Sequence, residues 1–129
     1  MSGAFSRGEH VLVVDDEANV RRFTARVLES DGYLVHEAGD GQEALSLLRS
    51  HDPTIDCVVS DIVMPRLNGV ELLQAIADDL PGLPVILMSA YGAAQLADRG
   101  ISSPCAVLAK PFSPERLLGE VRRCLASRL

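Results

Sequence analysis

Short, nearly continuous apolar runs recur five times along this sequence: His10–Val14, Leu34–Ala38, Ile55–Ser60, Pro84–Met88 and Cys105–Ala109. Each is short enough to be a buried strand, and none has the length of a helix. Between them lie segments with helical period. Val20, Phe23, Thr24, Val27 and Leu28 fall on one helical face. Asp40-x-x-Glu43 and Asn68-x-x-Glu71 have the spacing of capping boxes. The first opens a helix with Ala44, Leu45 and Leu48, the second a helix with Leu72, Leu73, Ile76 and Leu80. Ala93–Arg99 is at most a short helix, ended by Gly100. Ser113 with Pro114 behind it is an N-cap and first-turn pair, and the last helix carries Leu117, Leu118, Val121, Cys124 and Leu125. Five strand–helix units of this kind predict an α/β fold, a parallel sheet covered on both faces. The polar His36 and Glu37 suit an edge position for the second strand.

A chain of 129 residues is one domain by size. Residues 1–8 are small and polar and read as a flexible lead-in; residues 9–127 form the predicted domain. The last helix runs almost to Leu129, so no output domain is expected within the sequence. No run approaches the roughly 18 apolar residues of a membrane span, and no signal peptide opens the chain. The net charge of −6 disfavours direct binding to nucleic acid or anionic lipid. Cys57, Cys105 and Cys124 make an odd count with no CxxC spacing and apolar neighbours. That pattern argues for reduced, mostly buried thiols in a cytoplasmic protein, against a disulfide framework and against zinc.

In a parallel sheet of this kind ligands bind at the carboxyl ends of the strands, near the point where strand order reverses. Asp15, Asp16 and Glu17 follow the first strand, Asp61 the third, Ser89 and Ala90 the fourth. Lys110, the sole lysine beside eleven arginines, follows the fifth. Carboxylates gathered on one rim repel unless a cation sits among them, and oxygen ligands with room for water suit Mg²⁺. A carboxylate beside Mg²⁺ can act as a nucleophile toward phosphorus, while the metal, an ammonium and a hydroxyl neutralise the transferring group. The pattern points to Mg²⁺-assisted phosphoryl transfer onto an aspartate, with Mn²⁺ as a substitute metal.

VLVVDDE, SDIVMPRLNGVELL, LMSA and LAKPFSPERLL resemble, in order and at family spacing, the signature segments of the receiver domain of two-component response regulators. The resemblance runs from about His10 to Leu125. It implies a doubly wound, flavodoxin-like (βα)5 fold with strand order 2-1-3-4-5. It implies Asp61 as phosphoryl acceptor, Asp16 as a direct Mg²⁺ ligand, and Asp15 as a support acting partly through water. The backbone carbonyl of Val63 would be the third protein ligand. Ser89 would be the switch hydroxyl, with Ala90 beside it. Lys110 would pair with the acceptor and then the phosphate, through a cis Lys110–Pro111 peptide. Met64, Pro65 and Gly69 match the loop beside the acceptor. The implied partner is a histidine kinase or a histidine phosphotransfer domain; homodimerisation is compatible with the resemblance but not derivable from the residues. Such a domain is a switch that catalyses only its own phosphorylation and dephosphorylation.

Two departures stand out. Many receivers carry Tyr or Phe three residues before the lysine; here that position is Val107, and the nearest aromatic is Tyr91, two after Ser89. LMSAYG followed by a short helix resembles receivers attached to hybrid sensor kinases. Alternatives stay open on residue type alone. A phosphatase of the haloacid dehalogenase type uses similar groups, but needs a second Asp two residues after the nucleophile, where Val63 stands. A protein-binding module could use the fold without phosphorylation. Asp15 and Asp16 alone would read as a solvated turn and cap, Asp61 as a turn carboxylate, and Arg21, Arg22 and Arg26 as a solvated helix face or a partner-facing one. His10, His36 and His51 show no ligand spacing.

Overall fold

The computed structural model describes residues 8–90 and 104–127. Its strands are β1 (His10–Val14), β2 (Leu34–Ala38), β3 (Cys57–Asp61), β4 (Val85–Ser89) and β5 (Ala106–Ala109). Its helices are α1 (Ala18–Ser30), α2 (Gly41–Ser50), α3 (Gly69–Asp79) and α4 (Pro114–Ser127). The sheet is parallel, with order β2-β1-β3-β4-β5, as expected, and β2 lies at an edge. The helix expected over 93–99 lies outside the described residues.

The apolar runs are continuous because alternate side chains feed two cores. Leu12, Val14, Val58, Val85 and Leu87 point to the face covered by α2 and α3. Val11, Val13, Val59, Ile86 and Met88 point to the other, against Leu28 of α1 and Leu117 and Val121 of α4. Burying each such side chain contributes about 1.5–3 kcal/mol.

The helix starts follow the capping signals. Asp40 accepts from the Glu43 amide at 2.8 Å, and Asn68 with Glu71 forms a reciprocal box, both bonds within 2.9 Å. The Ser113 hydroxyl accepts from Arg116 N at 3.1 Å. In α1 the buried residues are Thr24, Ala25 and Leu28, whereas Phe23 is 53% exposed. The burial face is therefore rotated from the predicted one. The Thr24 hydroxyl donates to the Val20 carbonyl at 2.9 Å, so it enters the interior satisfied, and small Ala25 lets the helix lie close to the sheet.

Three further details correct the sequence reading. The third and fourth strands start and end one or two residues later than expected, which makes Asp61 and Ser89 terminal strand residues. A cis Asp52–Pro53 peptide precedes β3 alongside the expected cis Lys110–Pro111. Cys105 and Cys124 are joined in a disulfide, contrary to the expectation of reduced thiols. The spacing rule failed because residues 19 apart in sequence become neighbours, with Cα atoms 6.1 Å apart, when α4 folds back along β5. Only Cys57 stays outside a disulfide, buried in the sheet.

Gly69 opens α3 where the helix meets the end of β3. Its amide donates to the Ile62 carbonyl at 2.8 Å, and a Cβ there would run into the Asp61 carbonyl and the Ile62 backbone. The obstacles are main-chain atoms and cannot swing away. Gly69→Ala should lower stability by about 2 kcal/mol or more despite the higher helix propensity of Ala, measured by urea unfolding; a neutral or stabilising result would show that α3 can shift without cost.

Candidate functional site

The strand register assembles the site. Val14 pairs with Ser60, so the residues that follow, Asp15 and Asp61, stand side by side at the carboxyl ends of β1 and β3. These strands flank the reversal in strand order, where clefts form in doubly wound sheets. On the other side of β3, Ser89 pairs with Ala109, and its carbonyl accepts from the Lys110 amide at 2.8 Å. Lys110 then extends its ammonium back across the rim, 3.2 Å from Asp61 Oδ1 and 3.6 Å from Asp15 Oδ2.

Asp15, Asp16 and Asp61 bring one carboxylate oxygen each within 4.8 Å of one another. Their environments differ. Asp15 is buried; its Oδ1 accepts from the Glu17 amide at 2.9 Å, but its buried Oδ2 has no hydrogen-bond partner, and the Lys110 contact is an ion pair too long to count as one. Asp16 is exposed. Asp61 is partly buried, and its contacts fall on Oδ1, which also accepts from the Ile62 amide at 3.0 Å. Burial pushes the Asp61 carboxyl above its ordinary range; the Asp15 charge adds to this and Lys110 opposes it.

A hard divalent cation fits this arrangement. The donors are all oxygens, one buried carboxylate oxygen lacks a hydrogen bond, and the exposed Asp16 side leaves room for the waters Mg²⁺ retains. Among the described residues the cluster holds carboxylates alone, and Cys105 and Cys124 are bonded to each other away from it.

Of the residues marked out by sequence, the structure gathers Asp15, Asp16, Asp61 and Lys110 on one rim, with Ser89 buried at the end of β4. Val63 is 66% exposed in the loop after Asp61. Ala90 is exposed just after β4, and Val107 is half-buried on β5 opposite Leu87. Tyr91 lies outside the described residues.

Other residues act on the rim without having been singled out for it. Arg21, expected on a solvated face, donates to the Asp15 carbonyl at 2.8 Å and to Glu37 at 3.0 Å, tying the acidic loop to the edge strand. Arg22 joins it on Glu37 at 3.3 Å. Arg66, in the left-handed region at φ 65°, donates through Nε and Nη2 to Asp40 and ties the loop after Asp61 to the start of α2. Neither pairing has a sequence signal, since the partners are 16 and 26 residues apart. His10 and His36, read as scattered, face each other with ring nitrogens 2.9 Å apart, because their strands are adjacent. Burial, with the His10 charge second, lowers the His36 pKa. The pair sits at the start of β1, away from the acidic rim.

Beside Lys110 opens an apolar cleft of about 400 Å³, lined by Val20, Phe23, Thr24, Pro111 and Phe112. The exposed Phe23 thus has a place: it forms one wall of a groove bordering the site.

Comparison with known proteins settles the class. The response regulator receiver domain family matches residues 11–122. The chain is 39% identical over 120 residues to the probable transcriptional regulator ycf27 of Guillardia theta, covering 91% of this chain and 45% of that protein. It is 38% identical over 116 residues to the sensor kinase CckA of Brucella abortus, covering 89% of this chain and 12% of that one. The chain thus spans half or less of these relatives' length. Among solved structures, the receiver domain of the hybrid histidine kinase CckA superposes with a TM-score of 0.74 at 35% identity, covering 90% of this chain and 98% of that one. A receiver domain protein of Clostridium thermocellum gives 0.81 at 28% identity, over 92% and 94%. This chain belongs to the response regulator receiver domain family, and its fold is flavodoxin-like. Its relatives include both a hybrid kinase and a transcriptional regulator, so they do not select the hybrid-kinase subgroup. No helix among the described residues is long and apolar enough to cross a membrane.

If the acidic rim holds Mg²⁺, millimolar Mg²⁺ should raise the melting temperature by mass action. At 100 times its dissociation constant the gain is about 2.7 kcal/mol. Asp16→Ala should lose most of that gain. A wild-type melting curve indifferent to Mg²⁺ would remove the metal from this rim.

Proposed function

We propose that this receiver domain takes a phosphoryl group from a phosphohistidine protein onto Asp61, in a reaction that needs Mg²⁺, and so acts as a signalling switch. The observation that carries this is the crowding of Asp61 between Asp15 and Lys110 at the strand-order reversal, with a buried oxygen of Asp15 left without a hydrogen bond. Asp15, Asp16, Asp61 and the Val63 carbonyl would hold the metal. Bound there, Mg²⁺ would offset the negative charge on the transferring group and lower the repulsion between nucleophile and phosphate.

The chain's own groups supply the rest. Lys110 and the Ile62 amide engage Asp61 Oδ1, which leaves Oδ2 as the attacking oxygen. An Oδ2–P bond forms as the P–N bond to the donor imidazole breaks, and the imidazole keeps the electron pair. Lys110 shifts from the carboxylate to a phosphoryl oxygen, holding charge that would otherwise face Asp15. The Ser89 hydroxyl, at the end of β4, would take a second phosphoryl oxygen and draw the following loop toward the site. With Val107 on β5, that response does not use a swinging aromatic there. Val63, exposed beside the acceptor, offers no acid or base, which fits a phosphoryl group that is kept rather than quickly hydrolysed. The haloacid dehalogenase alternative lacks its general acid for the same reason.

The donor must present its phosphohistidine next to Lys110, and the cleft of Phe23, Pro111 and Phe112 lies beside it. We assign that cleft to the histidine kinase or histidine phosphotransfer partner. The acidic balance of the chain supports a protein partner over nucleic acid. The domain would occupy residues 9–127 and work in the cytoplasm.

Acetyl phosphate with Mg²⁺ should give one acid-stable, base-labile adduct by intact mass, absent in Asp61→Asn. An adduct that persists in that variant would move the chemistry elsewhere. The same variant should melt higher without Mg²⁺. A carboxyl whose pKa is raised by folding loses stability as pH climbs through that pKa, so its cost is present above that pKa. Replacing it by a neutral amide removes that cost, and each 1 kcal/mol gained shifts the midpoint by roughly 2–8 °C. The gain should vanish below the ordinary carboxylate range, where Asp61 is protonated in both states.

A further inference from the structure

The disulfide takes no part in the phosphoryl chemistry, and its position gives it a separate role. Cys105 stands just before β5, partly exposed, while Cys124 is fully buried on α4. Both line a cleft of about 440 Å³ whose remaining walls include Leu73, Ile76, Leu80 and Pro84. Small molecules therefore approach Cys105 from the end of the sheet opposite the acidic rim. The bond closes a loop with a sequence separation of 19 that contains β5, Lys110 and the start of α4. The tether thus spans the segment that carries the cation of the site.

We propose that Cys105 and Cys124 are a thiol–disulfide exchange site for low-molecular-weight disulfides of the glutathione class, one that sets how tightly the Lys110-bearing segment is held. In the oxidising direction the Cys105 thiolate attacks the small disulfide, RS–SR. A Cys105–SR bond forms and one RS⁻ leaves. The Cys124 thiolate then attacks Cys105 Sγ, forming the Cys105–Cys124 bond and expelling the second RS⁻. Two electrons pass from the protein thiols to RS–SR, and the two thiol protons end on the released RSH. Reduction runs the same steps backwards, and the more accessible Cys105 sulfur is the one attacked. The proposal stands independently of the assignment of Asp61.

Fully reduced protein treated with oxidised glutathione should lose about 2 Da, with a transient glutathione adduct on Cys105. Cys124→Ala should trap that adduct, and Cys105→Ala should form none, because Cys124 and Cys57 are buried. The oxidised wild type should melt roughly 5–15 °C above the reduced form. Its amide hydrogen exchange should be slower in peptides covering 105–124, with peptides of β1 and β2 unchanged. The reduced wild type serves as the comparison, so the outcome does not depend on either variant folding well. A wild-type adduct that never resolves, or equal melting and exchange in the two redox states, overturns the proposal. Adduct formation at Asp61, read separately with acetyl phosphate, reports on the phosphoryl chemistry alone.

Discussion

Everything at the rim depends on one unfavourable contact that the sheet enforces. Parallel pairing of β1 with β3 in the register Val14 with Ser60 leaves Asp15 and Asp61 no choice but to be neighbours. The two strands are held by main-chain ladders and by side chains buried on both faces, worth far more together than the repulsion of the buried Asp15 and partly buried Asp61 carboxylates, which Lys110 partly offsets. The fold can therefore carry a locally destabilised site, as functional sites commonly require. Lys110 lies closer to Asp61 than to Asp15; the Asp61 pKa is raised chiefly by burial, against the Lys110 charge and with the Asp15 charge adding to it. A divalent cation held by the three carboxylates would offset the repulsion that Lys110 leaves.

A site under such tension needs a stiff frame. Arg21 grips the Asp15 carbonyl and Glu37, fixing the acidic loop against β2. Arg66 and Asp40 fix the loop after β3 against α2, and the bare α-carbon of Gly69 lets α3 begin directly on the backbone of Asp61 and Ile62. These contacts are individually modest; Arg66 is exposed, Arg21 and Glu37 are half-buried, and Asp40 is buried. Their value is geometric: they hold the main chain from which Asp15, Asp16 and Val63 project, so the site's shape does not relax away its own repulsion.

How much of this was legible in the sequence follows from range. Strands, caps and the acidic rim were readable because each rests on a local signal: continuous apolar runs, Asn68 three before Glu71, Pro114 after Ser113, and polar residues at strand ends. The order of strands and the role of each rim residue came from resemblance, not from periodicity. The rotation of α1 was not readable, since Phe23 and Thr24 share a helical face and only the sheet's position decides which is covered. The disulfide, the His10–His36 contact and the Arg21 and Arg66 pairings were also invisible. Each joins residues brought together by chain reversal, for which spacing has no rule.

The two ends of β5 place opposite demands on one strand. At its carboxyl end, the proposed shift of Lys110 from a carboxylate to a phosphoryl oxygen would need some freedom in the loop. At its amino end the Cys105–Cys124 bond removes freedom from the same segment. β5 is also an edge strand, paired on one side only with β4, and only Leu108 along it is fully buried. Like the other edge strand, β2, it is weakly restrained by packing, so a single covalent link there adds restraint that packing does not supply. A tether at the centre of the sheet, on β1 or β3, would add little to residues already fixed on both sides. Placed on β5, it would act where the proposed motion of the lysine and the strand's weak anchoring meet.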